Sequence, residues 1–130
     1  MSQIVLDSSA VLNVLIDPSP PAGLLARVGS AELHAPHLLD TEITHALRRL
    51  VRLSIIGGVR AEAALVDLGD LPLIRYAHAP LTGLVWSMRK RMSAYDATFV
   101  ALAIALEAPL VTRDRRLATA ADGVVAVELH

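Results

Sequence analysis

Four acidic residues lie where an otherwise apolar segment gives no reason for a charge: Asp7, Glu42, Asp96 and Asp114. The first and last directly follow short apolar, strand-like runs, and the middle two lie early in helix-like segments. Carboxylates gathered at an apolar site repel one another and resist ionisation unless a cation neutralises them. Ligands that are all oxygen favour Mg²⁺ or Mn²⁺ over Zn²⁺. The four acids therefore predict a divalent-metal site in an enzyme.

The two acids on helices are the harder pair to explain as structural residues. Glu42 flanks an apolar stripe with i, i+3/i+4, i+7 spacing, and Asp96 shares its helix face with Phe99 and Val100. Left ionised and unpaired there, each would cost several kcal/mol of desolvation. Helix capping is the simpler alternative for Asp7, Asp114 and the segment from Ser93 to Asp96. A shared metal accounts for all four acids, whereas four independent caps do not.

The composition predicts one domain spanning residues 1–130, with apolar surface left over for a partner. Hydrophobic residues make up 54% of the 130 residues, but aromatic residues only 3%, so the core must consist mostly of Ala, Leu and Val. Such a surplus in a small domain indicates burial against another chain, and we expect a homodimer. The segments Ala22–Val28 and Leu81–Met92 are the predicted contributors.

The positive charge is local although the formal net charge is only −1. Eleven Arg and one Lys supply it, and nine of these cations form three clusters, each near one of the acids. The guanidinium fork of Arg matches phosphate bidentately, so these clusters indicate phosphate binding. The clusters are Arg48, Arg49 and Arg52; Arg89, Lys90 and Arg91; and Arg113, Arg115 and Arg116.

No feature of the sequence points to export or to a membrane. Cysteine is absent, which excludes disulfides and thiolate metal sites. Asp7 interrupts the first apolar stretch, and the longest apolar helix, Phe99–Leu106, is far shorter than the roughly 18 residues that a membrane span requires. We therefore expect a soluble, cytoplasmic protein without a signal peptide.

The elements that must position the acids alternate between apolar strands and helices, which predicts a parallel sheet covered on both faces. Ligands bind such sheets beyond the carboxyl ends of strands, where the strand order reverses. If the first and fourth strands are neighbours there, Asp7 and Asp114 share one crevice. The predicted strands are Ile4–Leu6, Glu32–Ala35, Leu73–Tyr76, Leu110–Thr112 and Val124–Val127. The predicted helices are Ser9–Ile16, Ala22–Val28, Pro36–Leu53, Arg60–Leu68, Pro80–Met92, Tyr95–Glu107 and Arg115–Ala121.

Four segments, in the same order along essentially the whole chain, resemble the PIN domain of VapC-type toxins. No single one is specific enough, but the combination is. The segments are Ile4–Ala10 (IVLDSSA), Leu39–Ile43 (LDTEI) running into Ala46–Arg49 (ALRR), Ser93–Ala97 (SAYDA) followed by Ala101–Ala103 (ALA), and Ala108–Leu117 (APLVTRDRRL).

The resemblance implies a three-layer α/β/α sandwich with a central five-stranded parallel sheet, and a Mg²⁺-dependent endoribonuclease in which Mn²⁺ substitutes. It also implies a VapB-type antitoxin as partner and larger toxin–antitoxin assemblies. Carried over by position, the four acids are the catalytic and metal-site residues, with the hydroxyls of Ser9 and Thr112 in support. Many PIN domains carry a further acid one turn after the third, where this chain has Phe99 and Val100, which leaves the number of metal ions open.

The predicted reaction is hydrolysis of an RNA phosphodiester by in-line attack of a metal-activated water. Asp7, Glu42 and Asp96 would hold the principal ion, and Asp114 would bind a second ion or position the water. Arg113, Arg115 and Arg116 are the predicted RNA-binding residues, and tRNA or rRNA the predicted substrates.

Two alternatives remain open. A haloacid-dehalogenase-like phosphatase also begins with a strand and an Asp, but it needs a second Asp where this chain has Ser9. A non-catalytic PIN module that binds only protein is the other alternative, although it would have no use for four acids.

Overall fold

The computed structural model describes all 130 residues as one five-stranded sheet and seven α-helices. The strands are β1 (Gln3–Leu6), β2 (Glu32–Pro36), β3 (Leu73–Tyr76), β4 (Leu110–Thr112) and β5 (Val127–Leu129). The helices are α1 (Ser8–Ile16), α2 (Ala22–Ser30), α3 (Leu38–Arg52), α4 (Gly58–Asp70), α5 (Thr82–Ser87), α6 (Ala94–Leu106) and α7 (Arg115–Ala121), with a 3₁₀ turn at Ala79–Leu81 before α5.

All strand pairs are parallel, and the sheet order is β3-β2-β1-β4-β5. The chain builds one half of the sheet outward from β1 and then returns to place β4 on the other side of β1. The strand order therefore reverses between β1 and β4, whose register pairs Val5 with Leu110 and Leu6 with Val111. This arrangement confirms the predicted neighbours and brings the ends of both strands to the same crevice.

The helices cover the sheet as the three-layer prediction requires. Helices α1, α3 and α4 contact one another, while α6 packs across β1, β2 and β4 with α5 against it. Every residue of α6 from Ala97 to Ala103 is buried, because small and apolar side chains occupy all sides of this helix. The predicted fold class is confirmed.

Most elements agree with their predicted bounds to within two residues at each end, and two differ by more. The predicted helix Pro80–Met92 is shortened to α5, because the amides of Met88 and Arg89 bond to carbonyls three residues back and end the regular helix. The last strand begins at Val127 rather than at Val124. Gly123 adopts a φ of +77°, and the amide of Val124 donates to the carbonyl of Ala121. These residues form the turn that ends α7, so β5 begins only after them.

Most of the large exposed apolar side chains lie outside Ala22–Val28 and Leu81–Met92, the two segments predicted to be covered by a partner. Leu81, Met88 and Met92 are buried, and Trp86 is the large exposed side chain of its segment. More of the large exposed apolar side chains lie just after α3 and along α4, at Leu53, Ile55, Val59 and Val66. No helix is both long enough and apolar enough to cross a bilayer.

Candidate active site

Asp7 occupies the first turn after β1 and is 4% exposed. Its carboxylate accepts hydrogen bonds from the hydroxyls of Thr112 (2.6 Å) and Ser9 (2.8 Å), and from the amide of Ala10 (3.0 Å). The last of these bonds caps α1, so the alternative of helix capping is correct for Asp7 as a local role. The bond from Thr112 comes from β4, and together with the bond from Ser9 it fixes the carboxylate at the point where the strand order reverses.

Ser9 and Thr112 also position the chain that carries Asp114. The Thr112 hydroxyl accepts from the amide of Asp114 (2.9 Å), and the Ser9 hydroxyl accepts from the amide of Arg113 (2.9 Å). Asp114 in turn caps α7 by accepting from the amides of Arg116 and Leu117. The two hydroxyls thus connect the ends of β1 and β4 into one rigid unit.

A cleft of about 840 Å³ contains all four predicted acids. Glu42 projects into it from α3 and accepts a hydrogen bond from the Ser8 hydroxyl at 2.6 Å. Asp96 enters from α6, where Ser93 caps the helix by accepting from the backbone amide of Asp96. The fold therefore brings together side chains that are separated by up to 107 positions, from Asp7 to Asp114.

Arg116 lies between two of the acids. Its Nη1 is 2.9 Å from Oδ2 of Asp96, and its Nη2 is 3.2 Å from Oδ2 of Asp114. The side chain is 66% exposed, so solvent reaches the guanidinium. A cation thus already neutralises this side of the cleft, and it comes from a residue that was predicted to bind RNA.

The electrostatics of the cleft favour an added cation. Burial raises the pKa of Asp7, and the charge of Asp114 raises it further, although hydrogen bonds from Thr112, Ala10 and Ser9 lower it in part. An ionised Asp7 is therefore costly until positive charge approaches it. Arg116 pairs with Asp96 and Asp114 and makes no ion pair with Asp7.

The donor set fits a hydrated Mg²⁺ better than an ion bound only by protein. No three carboxylate, imidazole or thiolate groups are close enough to hold one ion among themselves. Hydrogen bonds from hydroxyls, amides and Arg116 hold each acid in its own place instead. Mg²⁺ usually keeps several waters and takes only one or two carboxylates directly. Four carboxylates around a water-accessible cleft match that requirement.

The structure leaves the other two predicted RNA-binding residues at the edge of this site. Arg113 is exposed, and its Nε donates to the backbone carbonyl of His130. Arg115 is exposed at the start of α7. Neither side chain lines the cleft that holds the acids.

Several residues line the cleft without having been predicted as catalytic or metal-site residues. Ser8 follows Asp7 directly, and Tyr95 precedes Asp96; Tyr95 is 65% exposed. His45 and Arg49 lie three and seven positions after Glu42, a spacing that places all three on one helix face. That spacing is the sequence signal that could have identified them.

The sequence of this chain matches a family model and is similar to that of a known protein. The family model of the PIN domain matches residues 4–123. Ribonuclease VapC1 of Mycobacterium tuberculosis is 43% identical over 122 residues, which cover 92% of each chain.

Two solved structures share the fold at lower sequence identity. VapBC2 of Rickettsia felis, bound to a DNA fragment from its promoter, matches with a TM-score of 0.72 and 13% identity, covering 98% of both chains. VapC20 of M. tuberculosis, described as a sarcin–ricin loop cleaving toxin, matches with a TM-score of 0.66 and 18% identity, covering 90% of this chain and 94% of that one.

Proposed function

This chain belongs to the PIN-domain family, and from that premise we propose that it is a Mg²⁺-dependent endoribonuclease and the toxin of a type II toxin–antitoxin system. The observation that carries the proposal is the convergence of Asp7, Glu42, Asp96 and Asp114 on one cleft at the strand-order reversal. The similarity to ribonuclease VapC1 over nearly the whole chain supports the activity.

In the proposed reaction, Asp7, Glu42 and Asp96 would hold the principal Mg²⁺, directly or through its waters. The bound ion would lower the pKa of a water and stabilise negative charge on the phosphate oxygens. Ser9 and Thr112 keep Asp7 oriented, and Ser8 does the same for Glu42. Asp114 positions the attacking water or a second ion. Water adds to phosphorus and loses one proton to solvent, while the bond to the leaving ribose oxygen breaks and that oxygen takes up one proton from solvent.

The proposed substrate is a structured RNA such as tRNA or rRNA. The chain has only four aromatic residues, so a long single strand could not be held by base stacking alone. VapC20, described as cleaving the sarcin–ricin loop, provides a precedent for a folded target. Arg113 and Arg115 remain the proposed contacts to the RNA backbone at the start of α7.

The alternatives are less well supported. A match to the PIN-domain model over residues 4–123 does not fit a haloacid-dehalogenase-like phosphatase. A non-catalytic PIN module would have no reason to keep Asp7 ionisable and 4% exposed beside other carboxylates. Burying such a group costs stability that a binding surface does not require.

Brief induction of the protein in cells, followed by sequencing of RNA 5′ ends, tests the function and identifies the target. We expect new 5′ ends at one or a few discrete sites in structured RNA. A strain that expresses an Asp96→Asn variant to the same level should lack those ends. Identical 5′ ends in both strains would contradict the assignment of the cleft as the nuclease site.

The proposed partners are a second copy of the chain and a VapB-type antitoxin. The relative from R. felis was solved as a VapBC assembly, which supports the antitoxin. Arg116 already demonstrates that a guanidinium can pair with Asp96 and Asp114. An Arg or Lys from the antitoxin could therefore occupy the acidic cleft and exclude both metal and substrate.

We expect the chain alone to be a homodimer at micromolar concentration. Val59, Ala63 and Val66 form an exposed i, i+4, i+7 apolar face on α4, which a second copy would cover. Light scattering measures the mass directly. A Val59→Ser, Val66→Ser double variant should shift towards monomer if this face is the interface, and a monodisperse monomer for the wild type would refute the dimer.

A further inference from the structure

Helix α3 carries a cationic stripe beside the acidic cleft, formed by His45, Arg48, Arg49 and Arg52. All four side chains belong to exposed residues. They follow Glu42 along the helix at offsets of three, six, seven and ten positions. With a rise of about 1.5 Å per residue, the stripe begins about 5 Å beyond Glu42 and reaches about 15 Å beyond it.

The three arginines of this stripe have no partner in the structure, and in this they differ from most others in the chain. Arg27 pairs with Glu128, Arg75 pairs with Asp40, and Arg116 pairs with Asp96 and Asp114. Four more donate to backbone carbonyls, namely Arg60, Arg89, Arg91 and Arg113. The stripe arginines therefore hold three adjacent guanidinium groups that no carboxylate of this chain neutralises.

A hollow of about 240 Å³ lies among these side chains, lined by His45, Arg48, Arg49, Arg52 and Leu53. Two of these residues, His45 and Arg49, also line the cleft that contains the four acids. The two hollows are therefore adjacent, and a polymer that passes over the acids can continue directly into the cationic hollow.

We propose that the cationic hollow on α3 binds two consecutive backbone phosphates of the RNA substrate, next to the phosphate that is cleaved. The inference rests on the proposed ribonuclease function and names a binding site for it. Arg49, which lines both hollows, would contact the phosphate nearer the acids, and Arg48 and Arg52 would contact the phosphate beyond it. Guanidinium groups suit this role because each can donate two parallel hydrogen bonds to one phosphate.

A local explanation exists for part of the stripe and makes a different prediction. Arg49 and Arg52 lie in the last turn of α3, where positive charge interacts favourably with the helix dipole. That role requires no ligand, and it predicts lower thermal stability without any change in RNA binding when either side chain is removed. The helix dipole also does not explain why the hollow on α3 adjoins the acidic cleft and shares His45 and Arg49 with it.

The test is the salt dependence of RNA binding by the full chain, measured by fluorescence anisotropy with a labelled RNA hairpin in EDTA, so that no metal-dependent cleavage occurs. We expect Arg49→Ala and Arg52→Ala each to weaken binding and to reduce the slope of log affinity against log salt by about 1. Arg49→Lys keeps the charge, so it should keep the slope while losing affinity. Arg60→Ala, which removes an exposed cation outside both hollows and outside the three basic clusters, should keep the slope of the wild type.

The outcomes separate this inference from the proposed function. If both Ala variants are folded, as judged by thermal unfolding, and keep the wild-type salt slope, the phosphate site is wrong. The same result is expected if the stripe only interacts with the helix dipole, or if it binds an acidic protein segment. A wild-type chain that binds the hairpin with arginine-dependent slope but never cleaves RNA with Mg²⁺ would instead overturn the ribonuclease and leave the phosphate site standing.

Discussion

Replacing Asp7 with Asn is expected to abolish RNA cleavage while the fold remains intact. Asn has the same shape and can still accept the hydrogen bond from the amide of Ala10 that caps α1. It removes the one buried carboxylate of the cleft and with it a charge that holds the metal. Losing several kcal/mol of transition-state stabilisation lowers the rate by about 10³-fold or more.

The measurement is cleavage of a fixed RNA by purified wild type, Asp7→Asn and Asp96→Asn at equal concentration. Asp67→Asn is the matched control, because Asp67 is exposed on α4 and does not line the cleft. The control should cleave at the wild-type rate. A folded Asp7→Asn variant with wild-type activity would show that cleavage does not require the Asp7 carboxylate.

Mg²⁺ or Mn²⁺ is expected to raise the thermal stability of the wild type. An ion that binds only the folded chain stabilises it by about 2.7 kcal/mol at 100 times its Kd, which corresponds to a Tm increase of about 10 °C for a chain of this size. Asp7→Asn and Asp96→Asn should lose most of this increase. Differential scanning fluorimetry with and without EDTA measures it, and an unchanged wild-type Tm at millimolar metal would count against the site.

Arg116 provides a control for the same experiment. Because its guanidinium contacts Asp96 and Asp114, it competes with an incoming cation for their charge. We expect Arg116→Ala to lower the Tm without metal and to increase the gain when metal is added. The variant keeps the backbone amide that Asp114 uses to cap α7. Equal metal responses in this variant and the wild type would show that Arg116 does not affect the ion.

The metal-free protein should also show the effect of Asp7 on pH-dependent stability. Burial raises the pKa of Asp7 in the folded state, so the folded chain binds this proton more tightly than the unfolded chain does. The contribution of Asp7 to the free energy of unfolding is therefore lost as the pH rises from the pKa of Asp7 in the unfolded chain through its pKa in the folded chain. In EDTA at neutral pH, Asp7→Asn should be more stable than the wild type, and the difference should shrink as the pH falls.

The fold and the clustering of the four acids were predictable because both depend on local sequence patterns. Short apolar runs followed by Asp7 and Asp114 mark strand ends, and a parallel sheet brings such ends together where its order reverses. The inward direction of Glu42 and Asp96 follows from helical periodicity. Capping and participation in the cleft proved compatible, since Asp7 and Asp114 do both.

The side-chain pairing around the site was not predictable, because it depends on distances between segments far apart in sequence. Nothing in the run from Arg113 to Arg116 distinguishes the guanidinium that contacts Asp96 from one that stays in solvent. Likewise, Arg75 and Arg52 each lie between two hydrophobic residues, yet Arg75 pairs with Asp40 and Arg52 remains unpaired. The shortened α5 and the late start of β5 depend on local turns that helical and strand propensity do not resolve.

The most direct test of a metal-dependent ribonuclease is a titration of Mg²⁺ into EDTA-treated protein with a fixed RNA, in which cleavage rate and Tm are measured on the same samples. We expect no cleavage without metal, and a cleavage rate and a Tm that rise with the same half-saturating Mg²⁺ concentration. Full-rate cleavage in EDTA, or a rise in Tm that brings no cleavage of any cellular RNA, would contradict this expectation.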